Sequence, residues 1–154
     1  MAKEIERKYL VVGDAWRSLA VGTVFRQGYL STVKERTVRV RVAGDRGYLT
    51  IKGITVGAVR SEFEYEIPRA DADQMLDELC EQPLIEKTRH EIEAGDLTWE
   101  IDEFAGVNEG LIVAEVELED EAQEIALPDW SGAEVTNDPR YFNSNLIAHP
   151  FSEW

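Results

Sequence analysis

The chain has 154 residues, enough to bury the core of one domain spanning 1–154, and its 44% hydrophobic and 31% charged content describes a globular protein rather than a disordered one. The net charge of −15 argues against a nucleic-acid partner, whose phosphates want a basic surface. No apolar run approaches the roughly 18 residues of a membrane span, the start MAKEIERK carries no apolar stretch of a secretory signal, and the single cysteine, Cys80, leaves no internal disulfide; these features predict a cytoplasmic protein with no membrane partner.

Apolar and polar residues alternate with period two through most of the chain. In order, strands are predicted at 4–11 (EIERKYLV), 24–31 (VFRQGYLS), 35–42 (ERTVRVRV), 47–52 (GYLTIK), 61–67 (SEFEYEI), 87–92 (KTRHEI), 97–103 (LTWEIDE) and 112–118 (IVAEVEL). AGDRG at 43–47 is a turn that joins two of them as a hairpin. Helical period appears at 71–82, with Ala72, Met75, Leu76 and Leu79 on one side, Asp71 as N-cap and Pro83 as the stop. Shorter helices are expected at 14–20 and around 140–148. Eight strands with few helices predict a mainly β fold, an eight-stranded antiparallel closed or nearly closed barrel.

The polar faces of these strands are sorted by sign. Glu4 and Glu6 share a face with Lys8, about 7 Å separating successive members. Arg39 pairs with Arg41, Glu62 with Glu64, Lys87 with Arg89, Glu100 with Asp102, and Glu115 with Glu117, while Thr50 and Lys52 share a face on their own strand. A half-buried sheet with its charges in water produces the same alternation. A surface selected for solubility, however, intersperses signs, because like charges on neighbouring positions repel. The pattern also recurs in nearly every strand, so the polar faces can line one cavity, and eight strands leave an interior wide enough for a small ligand.

With those faces inward, the lining holds six cations (Lys8, Arg39, Arg41, Lys52, Lys87, Arg89) and eight carboxylates, a net of −2 that leaves −13 on the rest of the chain. Unpaired buried charge is too costly for an empty structural role. Six cations suit a compact polyanion with several oxygens, since Arg binds phosphate bidentately and Lys as a point charge. The carboxylates repel that anion unless divalent cations lie between, and Mg²⁺ is the natural one, hard and oxygen-liganded. A pure polyphosphate-binding module gains nothing from eight carboxylates.

Glu4-Ile-Glu6-Arg-Lys8 resembles the E-x-E-x-K signature of the triphosphate tunnel metalloenzymes, the CYTH domain superfamily. QGYLS at 27–31, TVRVRV at 37–42, LTIKG at 49–53, SEFEYEI, KTRHEI, WEIDEF at 99–104 and AEVELE at 114–119 resemble the family's successive strands, and DWSGAEVTNDPRYFNSNLI at 129–147 resembles the ending of its small bacterial inorganic triphosphatases. The resemblance implies a tunnel that hydrolyses a small-molecule triphosphate with Mg²⁺ or Mn²⁺. It assigns Glu4, Glu6, Glu115 and Glu117 to metal, and Lys8, Arg39, Arg41, Lys52, Lys87 and Arg89 to the phosphate chain. Lys8, Arg41, Lys52 and Glu117 are the expected catalytic set, and Glu62, Glu64, Glu100 and Asp102 are supporting acidic positions, either functional or internal ion pairs.

The alternatives within the family are nucleoside or thiamine triphosphatase and class IV-like adenylate cyclase chemistry. Recognition of an organic group needs an aromatic platform near the mouth. Trp99 falls on the outward parity, and Trp16, Trp130 and Trp154 lie outside the strands; the charged face shows no obvious base-stacking element, although Tyr48 and Phe104 share its parity, which favours a bare polyphosphate. Cys80, His90 and His149 are expected to be structural or exposed, and Arg26, Arg60 and Arg69 to be solvated edge residues.

Overall fold

The computed structural model describes residues 3–154. Nine strands form: β1 (Lys3–Val11), β2 (Gly22–Ser31), β3 (Thr37–Ala43), β4 (Arg46–Lys52), β5 (Val59–Ile67), β6 (Ile85–Ala94), β7 (Leu97–Phe104), β8 (Ile112–Glu117) and β9 (Ser131–Glu134). The first eight are the predicted eight, with ends shifted by up to two residues. All the pairings are antiparallel and run β5-β4-β3-β2-β6-β7-β8-β1, with β1 meeting β5 to close the barrel. That last seam is short: Lys3, Glu4 and Ile5 oppose Ser61, Arg60 and Val59. Beyond it the same edge of β1 takes β9, which the sequence pattern did not reveal because its SGAE has no alternation. The turn at 43–47 closes a hairpin in which Ala43 opposes Arg46, and Gly44 supplies the positive φ of 61° that the two-residue loop needs.

Because charged residues take the inward parity, the apolar residues of the same strands face outward and need covering. Tyr9, Trp99, Ile101, Ala114 and Val116 form one outer core, covered by Trp16 from a 3-10 turn at Ala15–Ser18 and by Trp130. Trp99 is edge-on to Trp130 at 5.3 Å. Val40 and Val42 form a second outer core beneath α1 (Arg69–Glu78), through Ala72, Leu76 and Cys80. The Cys80 thiol is pushed up to about 11, by burial and then by Glu81, as suits a structural cysteine. Helix α1 begins earlier than predicted, so Asp71 lies in its first turn and Pro68 takes the N-cap position. It ends before Leu79, which is exposed rather than packed.

A third core fills one end of the barrel interior. Here the inward parity turns apolar: Leu10, Tyr29, Ile85, Phe104 and Val113 meet Tyr141, Leu146 and Ile147 of the C-terminal segment. This segment is a 3-10 turn at Pro139–Tyr141 followed by α2 (Asn143–Ala148), in place of one helix over 140–148. It is a plug in the barrel, not a cover on its wall. Among the described residues, no helix is long and apolar enough to cross a membrane.

Leu76 has no exposed surface and pins α1 to the outer wall. Leu76→Ala is expected to cost roughly 2–5 kcal/mol in urea unfolding, while the hollow on the far side of β3 keeps its affinity for anions.

Candidate active site

The inward faces of the eight strands meet in one hollow. Its wider part, about 340 Å³, is lined by Glu62, Glu64, Glu100 and Glu117 at the mouth and by Phe25 and Tyr48 beside them. Deeper in, around Lys8 and Lys87, it narrows to about 70 Å³ before the plug, where Thr136, Phe142, Asn143 and Ser144 line it. Glu4, Glu6, Arg39, Arg41, Lys52, Arg89 and Glu115 line both parts. Thirteen of the fourteen predicted charged residues therefore border the space. Asp102 is the exception, sitting behind Lys87 and Arg89 with 1% exposure.

Register explains the sorting of signs. Lys8 opposes Glu115 and Glu6 opposes Glu117 across β1 and β8, Lys52 opposes Glu62 across β4 and β5, and Arg89 opposes Asp102 across β6 and β7. At three of these four positions a charge meets its opposite on the neighbouring strand; Glu6 against Glu117, like Glu100 against Glu115 across β7 and β8, sets carboxylate against carboxylate. Lys52 Nζ reaches Glu4 Oε2 at 2.7 Å and Glu62 at 3.9 Å; Lys8 reaches Glu115 at 3.6 Å; Arg39 reaches Glu64 at 3.5 Å. Asp102 takes Lys87 at 2.7 Å and Arg89 at 2.8 Å, and Arg89 also reaches Glu100 at 3.0 Å. The supporting role of Asp102 is therefore internal pairing that keeps two cations oriented.

Electrostatics divides the lining. Burial raises the Asp102 carboxyl, but Arg89 and Lys87 overcome it and hold the group well below the usual carboxylate range. Lys87 is pushed down to about 7 by burial, against the pull of Asp102 and with the push of Arg89 and Arg41. Arg41 is pushed down to about 9 by burial, Arg39 and Arg89. It is buried, its Nε donates to Gln27 Oε1 at 2.7 Å, and its guanidinium lies 4.6 Å from the Phe25 ring centre, yet among the described residues it forms no ion pair. A buried cation without a carboxylate is the strongest anion-seeking group in the hollow.

The acidic groups near β1 carry the opposite imbalance. Glu6 is raised well above the usual range by burial, Glu115 and Glu4. Glu62 is raised to about 8 by burial and by Glu4. Burial raises Glu4, but Lys52, with help from the Glu62 and Glu6 side chains, overcomes it and holds the group below the usual range, and its other oxygen, Oε1, is buried with no hydrogen-bond partner. Among the described residues, no three His, Cys, Asp or Glu side chains already close around an ion. The donor set still fits a hard divalent cation: crowded carboxylates that resist shared ionisation, with an unused buried oxygen among them.

Other predicted positions sort cleanly. Arg26 pairs with Asp73 and Asp77 of α1 on the outer wall, and Arg69 pairs with Asp73. Arg60 does not behave as an edge residue: it shares the inward parity of β5, lines the narrow end and donates to Gly53 O at 3.1 Å and Thr37 Oγ1 at 3.3 Å. Its position opposite Glu4 on the closing seam was the missing signal. His90 packs edge-on to Trp16 at 5.0 Å on the outside, and His149 is exposed. Phe104 belongs to the plug core, whereas Tyr48 does reach the wide mouth. Gln27, Phe25 and Asn143 contact the tunnel cations without having been predicted, since a neutral residue carries no sign pattern.

Comparison with known proteins agrees with this geometry. Residues 2–150 match the CYTH domain family. An inorganic triphosphatase of Acetivibrio thermocellus is 53% identical over 154 residues, covering 100% of this chain and 99% of that protein. An inorganic triphosphatase of Nitrosomonas europaea is 38% identical over 148 residues, covering 93% of this chain and 95% of its own length. A crystal structure of an inorganic triphosphatase superposes with a TM-score of 0.65 at 33% identity, covering 93% of this chain and 96% of that one. The charged hollow, the eight-strand closure and these matches together make the chain a member of the CYTH domain family.

Proposed function

We propose that the chain hydrolyses inorganic triphosphate to diphosphate and phosphate inside the tunnel, with Mg²⁺ or Mn²⁺ as cofactor. The observation that carries the reading is Arg41, a buried cation without an ion pair among the described residues, which lines the same hollow as the five other predicted cations. A linear polyanion is the ligand that satisfies all six, and the curated relatives named inorganic triphosphatases support that choice. Nucleoside or thiamine triphosphates are the second reading, favoured by Tyr48 beside the wide mouth.

Phosphoryl transfer needs positioning and charge stabilisation more than covalent chemistry. Arg39, Lys52, Lys87 and Arg89 would hold the phosphate chain, their directions fixed by Glu64, Glu4 and Asp102. Lys8 and Arg41 would stabilise charge that builds up as the bridging bond breaks. Glu117, at the acid-lined mouth, would orient the attacking water. Cys80, His90 and His149 all lie outside the hollow, so direct attack by water needs no protein nucleophile. A divalent ion held by Glu4, Glu6, Glu115 and Glu117 would supply charge neutralisation for the phosphate oxygens.

Phosphate release from triphosphate, ATP and thiamine triphosphate is expected to be fastest for triphosphate, to stop with a chelator, and to return with added Mg²⁺ or Mn²⁺. Turnover unaffected by the chelator would remove the metal from the account, and a preference for ATP would move it to the second reading. Arg41→Met is expected to lower kcat/KM at least about a hundredfold. It breaks no ion pair, so its urea midpoint should stay above that of Lys52→Met, which strips Glu4 of its partner at a cost of about 3–5 kcal/mol. Equal destabilisation by the two variants would contradict this ordering.

A further inference from the structure

Two of the tunnel cations share a support that no barrel strand provides. Asn143, the first residue of α2, turns its side-chain carbonyl into the narrow end, where Oδ1 accepts from Lys87 Nζ at 2.9 Å and from Gln27 Nε2 at 3.1 Å. Gln27 has no exposed surface, and its opposite end meets Arg41, whose Nε donates to Gln27 Oε1 at 2.7 Å.

The polarity of this relay is fixed. Lys87 is donor-only, so the Asn143 oxygen and not its NH₂ must face it. The Gln27 NH₂ must then face Asn143, which leaves the Gln27 carbonyl for Arg41. Lys87 uses one further donor on Asp102 at 2.7 Å, so one of its three protons remains for a ligand. Among the described residues no carboxylate pairs with Arg41, so Gln27 and the Phe25 ring set its position. Asn143 lies in the chain between Tyr141 and Leu146–Ile147, all three buried in the plug core, and the next asparagine, Asn145, donates to Pro139 O at 2.9 Å.

Resting on the triphosphatase reading, we propose that Asn143 is a positioning residue for that reaction: from the plug it aims Lys87 directly, and Arg41 through Gln27, so that both meet phosphate oxygens. The plug is thereby part of the catalytic apparatus and not only a hydrophobic seal.

The charged groups that act on Lys87 are Asp102, Arg89, Arg41 and Glu115. An accepted hydrogen bond favours the ammonium, so its loss leaves Lys87 easier to deprotonate, whatever the substrate. The first measurement is the NMR titration of the Lys87 ammonium in ligand-free protein. Asn143→Ala is expected to lower the midpoint by about one unit, and Asn143→Asp, which keeps both accepted bonds and adds charge, to raise it. The second is kcat/KM for triphosphate, expected to fall ten- to a hundredfold in Asn143→Ala. The fall should be non-additive with Gln27→Ala, because both changes break one relay. An unchanged Lys87 midpoint in folded Asn143→Ala overturns the proposal, and additive losses overturn its Arg41 arm. Should Asn143→Ala fail to fold, a midpoint in Asn143→Asp at or below wild type overturns it equally. A wild type that leaves triphosphate intact would sink the functional reading alone, since the titration still judges Asn143.

Discussion

Everything in this barrel follows from one constraint: a charge withdrawn from water needs an opposite charge at hydrogen-bonding distance, supplied by the chain or by a ligand. Asp102 shows the constraint at its sharpest, with Lys87 and Arg89 both within 2.8 Å of its oxygens. Removing one partner of such a group costs about 3–5 kcal/mol, whereas exchanging the whole set for well-packed apolar residues is often neutral or favourable. Stability therefore does not explain why the interior is ionic. Affinity for a highly charged ligand does.

The rest of the architecture answers to that interior. A barrel that gives its inside to charge has to place its apolar burial elsewhere, and here it lies in two outer cores and a plug. Elements that look like decoration have this work to do: the 3-10 turn carrying Trp16, the loop carrying Trp130, and α1 each cover a stretch of outward-facing Tyr, Trp, Ile or Val. The short seam between β1 and β5 leaves room for β9 on the same edge, and the chain then turns inward to form the plug.

The barrel and its charged lining were legible because two signals coincide in most of the strands: period two, and sorting of charge by sign. The sorting is in part a trace of register: Lys52 lies against Glu4 and Lys8 against Glu115, although Glu6 still feels the charges of Glu115 and Glu4. What stayed hidden had no such trace. Gln27 and Asn143 are neutral, so their positions among the cations emerge only from the packing of α2 inside the barrel. Arg60 looked like an edge residue because the closing seam pairs the first strand with the fifth, a neighbour relation that local pattern does not contain. Leu79 fitted the helical stripe, but the helix ends before it, and β9 lacks any alternation to read.

The central claim is that the ionic hollow is the place where a phosphate chain binds. A crystal structure of the protein grown with triphosphate tests it most directly. The account predicts phosphate oxygens within hydrogen-bonding distance of Arg39, Arg41 and Lys52 inside the barrel. Triphosphate held on the outer wall, with the hollow filled by water and its ion pairs unchanged, would contradict it.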